Sequence, residues 1–372
     1  MIKTLFVFGT RPEAIKLCPV ILHLRSRPDD FRVSVCVTAQ HRSMLDQVLN
    51  VFGVQPDFDL DLMLPNQTLS QSTSRMLAAL EPVMLSAQPD LAIVQGDTTS
   101  TFCGALAAFY RHVPVGHVEA GLRTWDLQQP FPEELNRVLT ARIATMHFAA
   151  TSGAAANLAA EGISGTNVHI TGNSGIDAVL SVRNRLESGE IPVTHYAWRD
   201  PAKKLILVTA HRRESFGFGI ESICRGLRRL AMRGDVQIVY PVHRNPNVLG
   251  PVHSLLGDCP NIALIEPLDY VPFVELMRQA YILITDSGGI QEEGPSLGKP
   301  VLVTREKTER PEAVEAGTVR LVGPDENRIV EQATELLDNA EEYIRMSHVH
   351  NPYGDGHASE RIAAAIRSFF RR

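Results

Sequence analysis

The sequence predicts an α/β protein made of two doubly wound halves, each a parallel sheet with helices on both faces. Three observations carry this. Short β-rich apolar runs alternate with helical stretches from Thr4 to Gly172, and the alternation restarts at Leu205 after a polar interval. The runs end in Gly, Asp, Thr or Glu, the residues expected where a parallel sheet offers its carboxyl edge to a ligand. The length, 372 residues, accommodates two domains of ordinary size.

Thr4 to Phe8 reads as the first buried strand. Gly9-Thr10-Arg11-Pro12-Glu13 then opens a helix reaching about Arg25; Thr10 and Glu13 have capping-box spacing and Pro12 suits a first turn. With Arg11 and Lys16 close by, this strand–turn–helix start is a phosphate site in outline, although it lacks the Gly-x-Gly-x-x-Gly of dinucleotide binders. Arg32–Thr38 is the second strand, followed by Gln40-His41-Arg42. Helices are expected over Leu45–Phe52 and Leu69–Ala87, and strands over 91–94 and 113–118. Met146–Ala149, a helix over Ser152–Glu161 and the run Val168–Gly172 complete the half, and Asp177–Ser188 reads as a connecting helix. Residues 189–203, polar and holding Pro192 and Pro201, read as a linker.

In the second half the strand-like runs are Leu205–Thr209, Val236–Val242, Ile262–Ile265, Tyr281–Thr285, Pro300–Thr304 and Val319–Val322. The closing amphipathic stretch Ser359–Phe370 is expected to return to the first half, and two such halves imply a cleft. The domain reading is 1–175 with 357–372 packing back on it, and 176–356.

The chemistry gathers at strand ends. Gly96-Asp97-Thr98-Thr99, His117-Val118-Glu119-Ala120-Gly121 and Pro132-Glu133-Glu134-Leu135-Asn136-Arg137 bring three carboxylates, Asp97, Glu119 and Glu133, toward one sheet edge as candidates for acid–base work. Asp97 has the alternative role of capping the helix that begins near Thr99, and Glu133 and Glu134 that of first-turn acids. Glu119, closing an apolar strand ahead of Ala-Gly, has no cap to make. In the second half His211-Arg212-Arg213-Glu214, His243-Arg244 and Asp286-Ser287-Gly288-Gly289 end strands. Ser-Gly-Gly before a helix offers unobstructed N–H groups to a phosphate, and Arg310 could add a bidentate contact.

Composition narrows the classes. With 36 basic and 42 acidic residues the net charge is −6, against general nucleic-acid binding while leaving room for a local basic pocket. The five cysteines are scattered and form no Cys-x-x-Cys pair, which argues against a disulfide framework or thiolate metal site and fits a reducing, cytoplasmic setting. The run Leu5–Phe8 is too short for a signal peptide, and no stretch approaches a membrane span.

Taken together, Gly9 to Lys16, Gly96 to Thr99, His117 to Arg123, Pro132 to Arg137, His211 to Glu214 and Asp286 to Glu293 resemble, in order along the chain, the non-hydrolysing UDP-N-acetylglucosamine 2-epimerases. The resemblance implies the GT-B architecture, two Rossmann-like domains facing across a cleft, and a homodimer. It implies interconversion of UDP-GlcNAc and UDP-ManNAc without NAD or metal, supplying activated ManNAc for polysaccharide synthesis. It places Asp97, Glu119, Glu133 and His211 on the family's catalytic positions. Arg11, Lys16, Phe273, Ser287, Gly288, Gly289, Glu293 and Arg310 fall on its UDP-sugar positions. Gln40, Arg212 and His243 match contacts to a second, activating UDP-GlcNAc, while Ser43 and Asn66 replace the family's residues at two other such contacts. Leu268 replaces a Gln near the uracil, and Trp125 and Gln128-Gln129 replace Gly and Tyr-Ser.

The chemistry of such a reaction is demanding. A C2 proton on an N-acetyl sugar is not adjacent to a carbonyl and is poorly acidic. It becomes removable if the C1–oxygen bond to UDP breaks first or together, so the site must stabilise departing UDP and exchange a proton on both faces of C2. Alternatives are a UDP-2,3-diacetamido sugar as substrate, a hydrolysing epimerase, a GT-B glycosyltransferase or a non-enzymatic nucleotide-sugar binder.

Overall fold

The structure is a computed structural model describing residues 1–38, 42–64 and 67–371. Gln40, Asn66 and the Ser43 side chain lie outside the described residues. The chain divides into two compact units, Met1–Ala178 with Tyr353–Arg372, and Val179–Pro352.

The first unit runs β1 (Ile2–Phe8), α1 (Arg11–Arg25), β2 (Phe31–Val37), α2 (Arg42–Phe52), β3 (Phe58–Asp59), α3 (Leu69–Ala87), β4 (Leu91–Gln95), α4 (Thr99–Tyr110), β5 (Val115–Ala120), α5 (Glu133–Ile143), β6 (Met146–Ala149), α6 (Ser152–Ala160) and β7 (Val168–Ile170). Helix α7 (Ser174–Glu187) leads into the second unit. The seven strands form one parallel sheet in the order β3-β2-β1-β4-β5-β6-β7. β4 is buried along its whole length, as a central parallel strand covered on both faces must be. The order reverses between β1 and β4. Ligands bind outside the carboxyl ends of strands at such a switch point, and the loops there are Gly9–Thr10 and Gly96–Thr98.

The second unit continues with β8 (Lys204–Thr209), α8 (Phe218–Ala231), β9 (Val236–Pro241), α9 (Pro246–Leu256), β10 (Ile262–Ile265), α10 (Tyr270–Gln279), β11 (Ile282–Thr285), α11 (Gly288–Ser296), β12 (Val301–Val303), α12 (Pro311–Ala316), β13 (Val319–Leu321), α13 (Glu326–Asp338) and α14 (Ala340–Ser347). Its sheet order is β10-β9-β8-β11-β12-β13, again all parallel. The reversal falls between β8 and β11, whose following loops carry His211 and Ser287. Both units are thus doubly wound in the Rossmann manner.

Helix α15 (Ala358–Phe370) belongs to the first unit, where it packs on α1. Asp177 holds its start by accepting the Ala358 and Ser359 N–H groups at 3.1 and 2.7 Å. Residues 189–203 carry no helix or strand. They lie in the second unit, where Gln237 accepts the Asp200 N–H at 2.9 Å.

Candidate active site

The turn after β1 is built around Glu13. Its carboxylate is almost fully buried and accepts the Gly9 and Thr10 N–H groups at 3.1 and 2.8 Å. The other oxygen takes the hydroxyls of Thr98 and Thr101 at 2.8 and 3.0 Å, fastening the β1–α1 turn to the β4–α4 turn. Gly9 is required by packing. A Cβ there would lie 2.1 Å from Thr38 Oγ1 and 2.5 Å from Ser100 Oγ, across the 2.7 Å bond those hydroxyls share. The turn is therefore fixed before Arg11 and Lys16 leave it.

Asp97 does not cap α4. That task falls to Thr98, whose hydroxyl accepts the Thr101 N–H at 3.1 Å. The Asp97 carboxylate is left for Arg137, which donates to Oδ2 at 2.6 Å, while Asn136 donates to the Asp97 carbonyl at 2.9 Å. The side chain is 28% exposed. Burial pushes its carboxyl up to about 6; Arg137 and Lys16 oppose the rise, and the charges of Glu119 and Glu133 add to it.

Glu119 sits on strained backbone. Its φ is +63°, at the break in register between β5 and β6. A non-glycine residue in that region costs about 1–3 kcal/mol and clusters at functional sites. The twist aims the carboxylate so that Lys16 Nζ meets Oε1 and Gln95 Nε2 donates to Oε2. Glu133 opens α5, half-buried, close enough to Asp97 for its charge to act there. Its neighbour Glu134 is buried and structural, accepting the Thr124 and Trp125 N–H groups at 3.1 Å each. The structure therefore brings together Asp97, Glu119, Glu133 and Lys16, with Arg11 half-buried at the start of α1.

His117, part of the same motif, is wholly buried and bonded to the Gly96 carbonyl at 2.7 Å, and burial pushes it down to about 3. It is a neutral strut. Arg123 is likewise structural, paired with Glu161 at 2.6 and 2.9 Å.

In the second unit Asp286 organises the switch point. Fully buried, it accepts the His211 and Arg212 N–H groups at 2.5 and 2.7 Å through one oxygen. Its other oxygen faces His211 Nδ1 at 3.6 Å. The His211 ring stacks on His243 at 5.1 Å and 9°. Burial lowers the His211 pKa against the raising influence of Asp286, and His243 and Arg212 lower it further. Arg212 is half-buried and His243 exposed.

Ser287, Gly288 and Gly289 form the start of α11, with no side chain capping it. Arg310 lies against Gly288, held by Glu292 at 2.7 Å and Glu309 at 3.0 Å. The guanidinium thus stands beside the first turn of α11 with its charge met by two carboxylates. Glu293 is half-buried in the same helix, and Phe273 is half-buried on α10.

A model of the UDP-N-acetylglucosamine 2-epimerase family matches residues 23–367. The UDP-N-acetylglucosamine 2-epimerase of Escherichia coli (strain K12) is 54% identical over 371 residues, covering 98% of each chain. The chain belongs to the UDP-N-acetylglucosamine 2-epimerase family. Membership makes it an epimerase, an isomerase by class. The Bacillus subtilis (strain 168) member of the family is 50% identical over 367 residues, covering 98% of this chain and 95% of its own. Among solved structures, the Neisseria meningitidis UDP-GlcNAc 2-epimerase bound to UDP-GlcNAc is 47% identical with a TM-score of 0.90, covering 100% of both chains. The glycotransferase of kitacinnamycin, 13% identical with a TM-score of 0.65 over 98% of each chain, shares the fold alone. The fold is thus the GT-B class of two Rossmann-like domains.

Sequence reasoning singled out the carboxylates, His211 and the Thr10–Glu13 capping box, but not Gln95, Asn136 and Arg137, which support the carboxylates, nor Asp286, which supports His211. All but Gln95 stood inside the quoted motifs. Their signal was a polar residue at a strand end or first helical turn with no surface task of its own. Among the described residues no helix is long and apolar enough to cross a membrane, and no group of three His, Cys, Asp or Glu could hold a metal ion.

Proposed function

We propose that this epimerase interconverts UDP-GlcNAc and UDP-ManNAc by eliminating UDP to 2-acetamidoglucal and re-adding it with the proton delivered to the opposite face of C2, as a homodimer supplying activated ManNAc for polysaccharide synthesis. The observation that carries the reading is the carboxylate set: Asp97, with its carboxyl raised to about 6, beside Glu119 and Glu133. A group poised there both gives and takes a proton near neutral pH, and a second carboxylate serves the opposite face. Breaking the C1–oxygen bond moves an electron pair onto the diphosphate. In this reading the turn Ser287–Gly289 with Arg310 takes up that charge, and the carbon left electron-poor acidifies the C2 hydrogen. Re-addition runs the steps backward with the proton returned from the other side. His211, paired with Asp286, serves as charge partner or leaving-group acid. The substrate named by the solved relatives supports the choice: the Methanocaldococcus jannaschii enzyme, 31% identical with a TM-score of 0.78 over 100% of both chains, is in complex with UDP-GlcNAc and UDP.

The test is incubation with UDP-GlcNAc in D₂O without an acceptor, read by proton NMR. Deuterium at C2 in both UDP-sugars is expected. Free ManNAc would instead indicate hydrolytic capture, and protium retained at C2 would end the proposal.

A further inference from the structure

We propose that Arg137 is a positioning residue for the epimerisation, holding the Asp97 carboxylate in the orientation and charge state that proton transfer requires. The proposal rests on the assignment of Asp97 as a proton-handling group.

Among the described residues, one stretch of α5 supplies both side chains that hydrogen-bond to Asp97. Arg137 Nη2 donates to Asp97 Oδ2 at 2.6 Å and Asn136 Nδ2 to its carbonyl at 2.9 Å. The same helix begins with Glu133, so two of the three proton-handling carboxylates are referred to one rigid element. Arg137 is itself braced. Its side chain is 10% exposed, and Nε faces Glu134 Oε2 at 3.5 Å. Glu134 in turn holds the Thr124 and Trp125 amides at 3.1 Å each. A planar guanidinium spans two carboxylates in a way that a lysine ammonium cannot.

A purely structural ion pair is the competing account, and the surroundings argue against it. Thr98 caps α4, so the Asp97 side chain has no role in ending or starting an element. Asp97 is instead left partly exposed, where it feels two cations, Arg137 and Lys16, and two anions, Glu119 and Glu133. Burial and the two neighbouring carboxylates favour the protonated acid. Arg137 is the largest influence in the other direction, with Lys16 second. Without Arg137 the group would stay protonated to higher pH and would be free to rotate away from C2.

The experiment uses the full chain as Arg137→Met and Arg137→Lys, with Asp97→Asn alongside. Turnover of UDP-GlcNAc is followed across pH, C2 exchange is read in D₂O, UDP affinity by calorimetry and folding by thermal melts. In R137M, kcat is expected to fall about 10²-fold, the lower end of what a positioned acid–base group contributes, with UDP affinity unchanged. The limb of the kcat/KM profile belonging to Asp97 moves to higher pH. R137K recovers part of the rate and shows a smaller pH shift, and it carries the test should R137M not fold. Wild-type turnover in the folded variants overturns the inference, as does a loss that follows the folded fraction with the pH profile unmoved. Asp97→Asn keeps the two ideas apart. If D97N retains exchange, the assignment of Asp97 has failed; if D97N is dead while R137M is unaffected, only the role of Arg137 has.

Discussion

Arg310 and Gly288 share one space: a methyl built on Gly288 would come within 2.5 Å of the Arg310 Cζ and 2.6 Å of its Nη1. The arginine cannot simply retreat, because Glu292 and Glu309 hold it at 2.7 and 3.0 Å. The backbone at Gly288 is outside the left-handed region, so alanine is tolerated there conformationally and the stability cost stays small. Gly288→Ala is therefore expected to push the guanidinium off the first turn of α11 and weaken UDP binding at least about 10-fold, ~1.4 kcal/mol. Calorimetric titration with UDP measures this. Wild-type affinity would mean that Arg310 and the turn do not act together on the diphosphate.

Asp97 trades stability for reactivity. Its carboxyl titrates near 3.8 when unfolded and at about 6 when folded, so folding disfavours the charged form. Its contribution to stability is complete below 3.8 and is lost as pH rises through 6. Asparagine carries no charge at any pH. Asp97→Asn is thus expected to melt close to wild type at pH 4 and to be more stable at pH 8, by on the order of 1–3 kcal/mol, while losing turnover. Melting curves of both proteins at the two pH values decide it. A gain that does not depend on pH would mean the carboxylate is not strained by its surroundings.

The strand ends that carry Gly9, Gly96, His211 and Ser287 were readable from the sequence, since all follow apolar runs of the right length; that they flank the reversals in strand order is a matter of sheet topology. What the sequence concealed was division of labour between like residues. Glu133 and Glu134 are adjacent acids after a proline, and helical rotation sends one toward Asp97 and the other to the amides of Thr124 and Trp125. Nothing local distinguishes them, because the distinction is made by a distant loop. The strand through Glu119 was expected to close at 118; it runs to Ala120 because the chain adds a residue at the bulge, and the positive φ at Glu119 has no side-chain signature. Thr98, not Asp97, caps α4, two good caps standing side by side with only tertiary pairing to Arg137 to decide between them. The two-residue strand β3 went unread because its pairing, not its composition, defines it.

His211 should titrate below the ordinary histidine value, since burial lowers it more than Asp286 raises it. Asp286→Asn leaves an oxygen to accept the His211 and Arg212 N–H groups but removes the one influence raising the imidazole. The His211 midpoint is then expected to drop further in D286N. Imidazole proton resonances followed from pH 4 to 8 report it, with a His211→Asn spectrum for assignment. An upward move would refute the reading of Asp286 as the group that favours a protonated His211.

Glu13 gives the largest expected loss of stability. Its carboxylate serves two backbone amides and two threonine hydroxyls, and it is raised from its ordinary pKa chiefly by burial. Glu13→Ala leaves the buried Gly9 amide and the half-buried Thr10 amide without their acceptor, at about 1–3 kcal/mol per buried group. A loss of about 3 kcal/mol or more in chemical denaturation is expected. Glu13→Gln keeps an oxygen for the amides and turns an NH₂ toward Thr98 and Thr101, whose hydroxyls can reorient to accept; Thr101 has the Gln95 carbonyl at 2.6 Å as another acceptor. E13Q should therefore lose well under half as much. Folding also disfavours the Glu13 charge, so wild type loses this contribution as pH rises above the unfolded value of 4.5, and E13Q should lose none of it. If E13Q were as unstable as E13A at every pH, the charge itself rather than the four accepted hydrogen bonds would be what joins the two turns.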